Sequence, residues 1–168
     1  MPGGLFPKND ARSVYSYDFS AAWREGKRGV VFDVDNTLVP HDVPADAHAA
    51  ALFNELKGMG FDTVIVSNNR EPRVRKFAEA VGTKYVYKAH KPMPGGILRA
   101  VHDMGLEPRE VIGFGDQIFT DIWGYNNAGI DSVLVDPVDR STDEIQIVLK
   151  RVLEKPVILL YKALRRKS

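Results

Sequence analysis

The 168-residue chain has no cysteine, which excludes disulfides, thiolate metal sites and a cysteine nucleophile. It has no apolar run near the roughly 20 residues needed to cross a bilayer. Its first residues, Met1-Pro2-Gly3-Gly4-Leu5-Phe6-Pro7, lack the basic start and apolar core of a signal peptide, so the cytoplasm is the expected compartment. There is no internal repeat and no low-complexity segment. The four histidines, His41, His48, His90 and His102, share no metal-ligand spacing and receive no role. A hydrophobic fraction of 44% and a charged fraction of 27% are ordinary for a globular domain. The length suits one domain with a substantial core.

The net charge of +1 hides a split. Residues 150–168 carry seven basic side chains (Lys150, Arg151, Lys155, Lys162, Arg165, Arg166, Lys167) against one acid, Glu154. The rest of the chain is acidic. Such a tail points to an anionic partner. Its apolar stretch Val157–Tyr161 beside basic residues suits an anionic membrane surface.

Along the chain, residues 1–28 read as an irregular arm with scattered aromatics (Tyr15, Tyr17, Phe19, Trp23). These are read as packing residues rather than a surface for nucleic-acid bases, and no nucleic-acid partner is expected. Residues 29–155 then alternate between apolar strands and amphipathic helices. Strands are expected at Gly29–Asp33, Thr63–Ser67, Tyr85–Tyr87, Val111–Gly115 and Ser132–Val135. Helices are expected at Ala45–Lys57, Pro72–Val81, Gly96–Met104 and Thr120–Asn127. Strands apolar throughout are covered on both faces, the mark of a parallel sheet. The expectation is an α/β fold, a doubly wound three-layer α/β/α sandwich with a mainly parallel central sheet. A last helix from Ser141 shows a capping-box pattern with Glu144 and an apolar stripe of Ile145, Val148, Leu149, Val152 and Leu153. Pro156 is read as its end, leaving residues 156–168 as an apolar and basic tail.

The strand ends carry the chemistry. Asp33 and Asp35 sit at i and i+2, positions that share a face of a strand. Two close carboxylates repel, and a divalent cation offsets them. The second strand ends in Ser67-Asn68-Asn69 and the fourth in Asp116, with Asp121 five residues on; Lys91 lies between them in sequence. Ends of parallel strands converge on one edge of the sheet, where ligands bind. Oxygen ligands suit Mg²⁺, and a carboxylate can be a nucleophile toward phosphorus. A second carboxylate can move the proton. A hydroxyl, backbone amides and a lysine can hold phosphoryl oxygens.

Asp33-Val34-Asp35-Asn36-Thr37-Leu38, Ser67, Lys91 and Gly115-Asp116-Gln117-Ile118-Phe119-Thr120-Asp121 resemble, in order and spacing, the four motifs of the haloacid dehalogenase (HAD) superfamily of phosphatases. The resemblance covers roughly Gly29 to Asp136. It implies Asp33 as nucleophile and Mg²⁺ ligand, and Asp35 as general acid/base with its backbone carbonyl on the metal. It implies Asp116 as a metal ligand and Asp121 as a ligand or its close partner. Ser67, the Asn68 amide and Lys91 would hold the phosphoryl group, and Thr37 would support the loop. In detail the motifs look like the YqeG branch of subfamily IIIA, which is similar to mitochondrial-type phosphatidylglycerophosphate phosphatases.

About thirty residues separate Asp35 from Ser67, enough for one loop, helix and strand; Ser67 to Lys91 is shorter still. Neither gap holds a cap domain, so the site is expected to be open. An open site admits a phosphomonoester whose bulk stays outside. With the tail and the resemblance, a lipid phosphate such as phosphatidylglycerophosphate is the preferred substrate. A protein, nucleic-acid end or sugar phosphate is the alternative. A phospho-receiver is disfavoured because no aspartate follows the third strand, Tyr85–Tyr87. Arg70, Arg73 and Arg75 read as a solvated helix face.

Overall fold

The structure is a computed structural model that describes residues 4–166. Its centre is a six-stranded sheet in the order β1-β6-β5-β2-β3-β4. The strands are β1 (Asn9–Ala11), β2 (Gly29–Phe32), β3 (Asp62–Val66), β4 (Lys84–Val86), β5 (Val111–Gly115) and β6 (Asp131–Val135). Every pairing is parallel. Strand order reverses at β2. The chain runs outward through β3 and β4, then returns to place β5 against β2's other side. The crevice beyond the carboxyl ends of β2 and β5 is the switch point, where open α/β sheets bind ligands.

The sheet is covered on both faces, as its apolar strands require. Side chains alternate across a strand. Val30 and Phe32 face a core shared with α1 (Phe19–Arg24), α2 (Ala47–Met59) and α3 (Glu71–Val81). Val31 faces a second core with α4 (Gly95–Asp103) and α5 (Trp123–Ala128). Aromatic rings knit the first core: Phe32 and Phe114 stack at 5.5 Å, and Tyr17 meets Phe114 edge-on at 4.9 Å. The N-terminal aromatics therefore pack inward. Helix limits follow local chemistry. The Asp46 side chain accepts from Ala49 N at 2.8 Å to start α2, and Gly60, at φ 95°, ends it.

Three expectations change. The N-terminal arm is not wholly irregular: Asn9–Ala11 adds β1 to the sheet edge beside β6. The helix after β5 opens with a wide π-type turn, Ile118–Ile122, before α5. Most changed is the C-terminus. A short 3-10 turn, Arg140–Thr142, precedes α6, which runs unbroken from Ile145 to Arg165 with Glu144 as N-cap. Pro156 does not end it. The proline is exposed, so the carbonyl one turn earlier, deprived of its amide partner, faces water rather than a dry core. A boundary drawn before Pro156 falls inside this helix. Lys167 of the basic cluster lies outside the described residues.

The apolar stripe of α6 also faces the unexpected way. Ile145 is 80% exposed, Leu149 60% and Leu153 66%, whereas Glu154 and Tyr161 are buried. The strand ends beneath α6 present polar groups that need partners. Polar side chains of α6 turn inward to meet them, and the apolar stripe is left outside. Among the described residues no helix is long and apolar enough to cross a membrane.

Candidate active site

Asp33 directly follows β2 and Asp116 directly follows β5, two adjacent strands. Asp121 comes from the π-type turn after β5 and folds back over the strand end. Gly115 permits this, because a Cβ there would collide with the Asp121 side chain. One carboxylate oxygen from each of Asp33, Asp116 and Asp121 lies within 4.8 Å of the others, and all three residues are buried. Lys91 inserts its ammonium between two of them, 3.0 Å from Asp33 Oδ1 and 2.6 Å from Asp121 Oδ1. Thr37 Oγ1 sits 3.4 Å from both Asp33 Oδ2 and Asp116 Oδ1, bracing the pair.

Crowding of like charges in a dry place sets the protonation. Burial, then the neighbouring Asp121, pushes the Asp33 carboxyl well above its usual range, despite the opposing pull of Lys91. Burial and Asp121 raise Asp116 to about 7 against the pull of Arg151. Lys91 is subject to desolvation too, but Asp121 and Asp33 outweigh it and keep the ammonium charged. Four carboxylates (Asp33, Asp116, Asp121 and Asp143) face two cations, Lys91 and Arg151. The buried group is short of positive charge, and its donors are hard oxygens. That set fits a divalent cation.

Asp35 is placed apart. Its backbone pairs with Val39, while its side chain turns toward the N-terminus of α3. Oδ1 accepts from Arg73 Nη2 at 2.9 Å and from Asp42 N at 2.9 Å; Oδ2 accepts from Asn69 Nδ2 at 3.2 Å. Burial would raise this carboxyl, but the bonds from Asp42, Arg73 and Asn69 prevail and hold it below its ordinary value. Ser67 is buried at the end of β3, with its hydroxyl accepting from Asn69 N at 3.1 Å. The Asn68 side chain closes on the backbone of Lys91, donating to its carbonyl at 3.0 Å and accepting from its amide at 2.7 Å. Asn68 thus fixes the loop that presents Lys91. Asp33, Asp35, Ser67, Lys91 and Asp121 share an open cleft of about 190 Å³, with His41 and Lys150 at its margin.

Several residues of the site were not anticipated from sequence. Arg151 on α6 donates to Asp116 Oδ2 at 2.6 Å and, through Nε, to Asp143 Oδ2 at 2.5 Å. Asn36, at φ 62° in the left-handed region that asparagine tolerates, bonds Asp143 Oδ1 at 2.6 Å and accepts from Asp139 N at 3.0 Å. Glu154 accepts from Phe119 N at 2.8 Å, supporting the turn that carries Asp121. Arg73, read as solvated, is turned inward onto Asp35. One sequence signal was available for the α6 residues. Arg151 and Glu154 stand at i and i+3, an oppositely charged pair on one face of the helix.

Residues 42–129 match the family of haloacid dehalogenase-like hydrolases. The chain is 40% identical over 142 residues to the "Probable phosphatase YqeG" of Bacillus subtilis, covering 84% of this chain and 80% of the relative. The chain belongs to the haloacid dehalogenase-like hydrolases. This hydrolase is a phosphatase by the same likeness. It is 25% identical over 178 residues to the chloroplastic/mitochondrial phosphatidylglycerophosphate phosphatase 1 of Arabidopsis thaliana; that match spans 96% of this chain but 49% of the relative. Among solved structures, the cobalt-bound deoxy-D-mannose-octulosonate 8-phosphate phosphatase of Haemophilus influenzae superposes with a TM-score of 0.52 at 15% identity. It covers 70% of this chain and 83% of the other, which establishes the shared fold.

Proposed function

We propose that this hydrolase cleaves phosphate monoesters with Mg²⁺ through a phosphorylated Asp33, and that its substrate is a lipid phosphate such as phosphatidylglycerophosphate. The observation that carries the chemistry is the meeting of Asp33, Asp116 and Asp121 oxygens within 4.8 Å, with Lys91 between Asp33 and Asp121. Asp33, Asp116 and Asp121 would hold Mg²⁺, with the Asp35 backbone carbonyl. The ion, when bound, supplies positive charge to the phosphoryl oxygens.

Asp33 attacks phosphorus. The P–O bond to the leaving group breaks, and the leaving oxygen takes a proton from Asp35. Water then attacks the aspartyl-phosphate, gives its proton to Asp35 and releases phosphate with Asp33 restored. Lys91, the Ser67 hydroxyl and the Asn68 backbone amide steady the phosphoryl oxygens. Asn69 and Arg73 hold Asp35 in place between the two steps.

Three features favour a lipid. The gaps between the motifs hold single helices and strands, so the cleft is open. The outer face of α6 is apolar and exposed at Ile145, Leu149, Leu153 and Leu160, and basic Lys155 and Lys162 lie on the same helix, with Arg166 at its C-cap. Such a helix can lie in an anionic interface without crossing it. Two relatives, from Arabidopsis thaliana and Chlamydomonas reinhardtii, carry the name phosphatidylglycerophosphate phosphatase.

The test is phosphate release from phosphatidylglycerophosphate in mixed micelles, from sugar phosphates and from an aryl phosphate, each with and without Mg²⁺. The lipid should be preferred and Mg²⁺ required. A clear preference for sugar phosphates would sink the lipid assignment, and cation-independent turnover would sink the mechanism.

A further inference from the structure

Arg151 has three features that an ordinary surface arginine lacks. Its side chain is only 12% exposed, it reaches from the last helix to the end of β5, and it is itself held in place. Its Nη2 donates to Asp116 Oδ2 at 2.6 Å and to Asp143 Oδ1 at 3.1 Å, and its Nε donates to Asp143 Oδ2 at 2.5 Å. Asp143 is steadied in turn by Asn36 Nδ2 at 2.6 Å. The Asp116 side chain is fully buried. Its Oδ2 is occupied by the arginine, and its Oδ1 approaches Thr37 Oγ1, which also reaches Asp33 Oδ2. A carboxylate gripped on one oxygen presents the other at a fixed place.

We propose that Arg151 is a positioning residue for the cation site: its guanidinium holds Asp116 from the side opposite the cation, so that α6 is a working part of that site. This rests on Asp116 being a cation ligand. The charge of Arg151 and its grip act in opposite directions. A positive charge beside a ligand repels a divalent cation, so its removal alone would tighten binding. Loss of an orienting partner weakens binding, typically by about 10-fold or more. A planar fork does the orienting, and lysine keeps the charge without it.

The experiment is calorimetric titration of the cation-free full chain with Mg²⁺, without substrate, for the wild type, Arg151→Lys, Arg151→Met and Asp143→Asn. Wild type should bind. Arg151→Lys should bind about 10-fold more weakly, and Arg151→Met should also weaken. Asp143→Asn should weaken binding less, because Arg151 keeps its bond to Asp116. In turnover of an aryl phosphate, Arg151→Lys should need more Mg²⁺ for half-activation, with kcat recovering at saturation. Unchanged Mg²⁺ affinity in Arg151→Lys, or tighter binding in Arg151→Met, would overturn the proposal while leaving the cation site intact. A wild type that binds no Mg²⁺ would overturn both. If Arg151→Met does not fold, Arg151→Lys and Asp143→Asn decide.

Discussion

The two sides of the cleft hold charge by opposite means. On the inner side, Asp33, Asp116 and Asp121 are buried together and oppose one another, and burial drives the first two carboxyls upward. On the outer side, Asp35 starts two residues away on the same strand end, yet its hydrogen bonds from Asp42, Arg73 and Asn69 overcome burial and hold it low. Two residues just past the end of one strand thus acquire different chemistry from their partners. A buried, strained cluster gains by taking up a cation. A partly buried carboxylate already compensated by three hydrogen-bond donors has no such need of one.

The largest effect should come from the inner side. Asp33→Asn should lower aryl phosphate turnover by about 10⁴-fold or more, the scale of losing a nucleophile, with no acid-stable phosphoprotein trapped on quenching. Retained activity would end the comparison. On the outer side, Asp35→Asn should cost about 10²- to 10⁴-fold, the range for general acid catalysis. That loss should shrink for substrates with good leaving groups, which need no proton. Equal losses for good and poor leaving groups would show that Asp35 does not supply the proton.

Arg73→Met should be milder and more telling. Removing a donor that holds Asp35 low raises its pKa. The activity limb that falls as Asp35 loses its proton should then move to higher pH in a pH–rate profile. A move to lower pH would contradict the outer-side account.

The smallest effect concerns Glu154, whose burial lifts its carboxyl from 4.5 to about 7 despite the Phe119 amide. A raised acid weakens folding once the unfolded chain ionises. Stability should be full below pH 4.5 and should fall as pH rises toward about 7. Glu154→Gln, in chelator, should therefore raise Tm by roughly 2–4 °C at pH 8, the shift of about 1 kcal/mol in a domain this size. At pH 4 it should raise Tm little. An equal gain at both pH values would mean that charge is not the cause.

The sequence made the inner side readable. Strands buried on both faces announce themselves as apolar runs, and β5 falls at Val111–Gly115, where it was expected. Acids placed just after such runs had to converge. β1 gave no such signal, being a three-residue edge strand, Asn-Asp-Ala, with little to bury. The docking face of α6 was hidden for a different reason. Its apolar stripe is the obvious inward face, and only the polar demands of Asp116 and the Phe119 amide reverse it. Arg73 was lost in the same way, since one arginine on a helix looks like any other until a carboxylate lies opposite. Roles that depend on a tertiary partner carry no local pattern.

The bond between Asn36 and Asp143 joins residues 107 apart in the chain. It bears on the order in which the molecule becomes competent. The β2–β3–β4 half can assemble from neighbours in sequence, but Asp116 meets Arg151 only when the last helix docks. Closing so long a loop carries an entropic cost that local pairing avoids. A chain emerging from synthesis would place Asp33 early and complete the Asp116 side of the pocket only once α6 has docked.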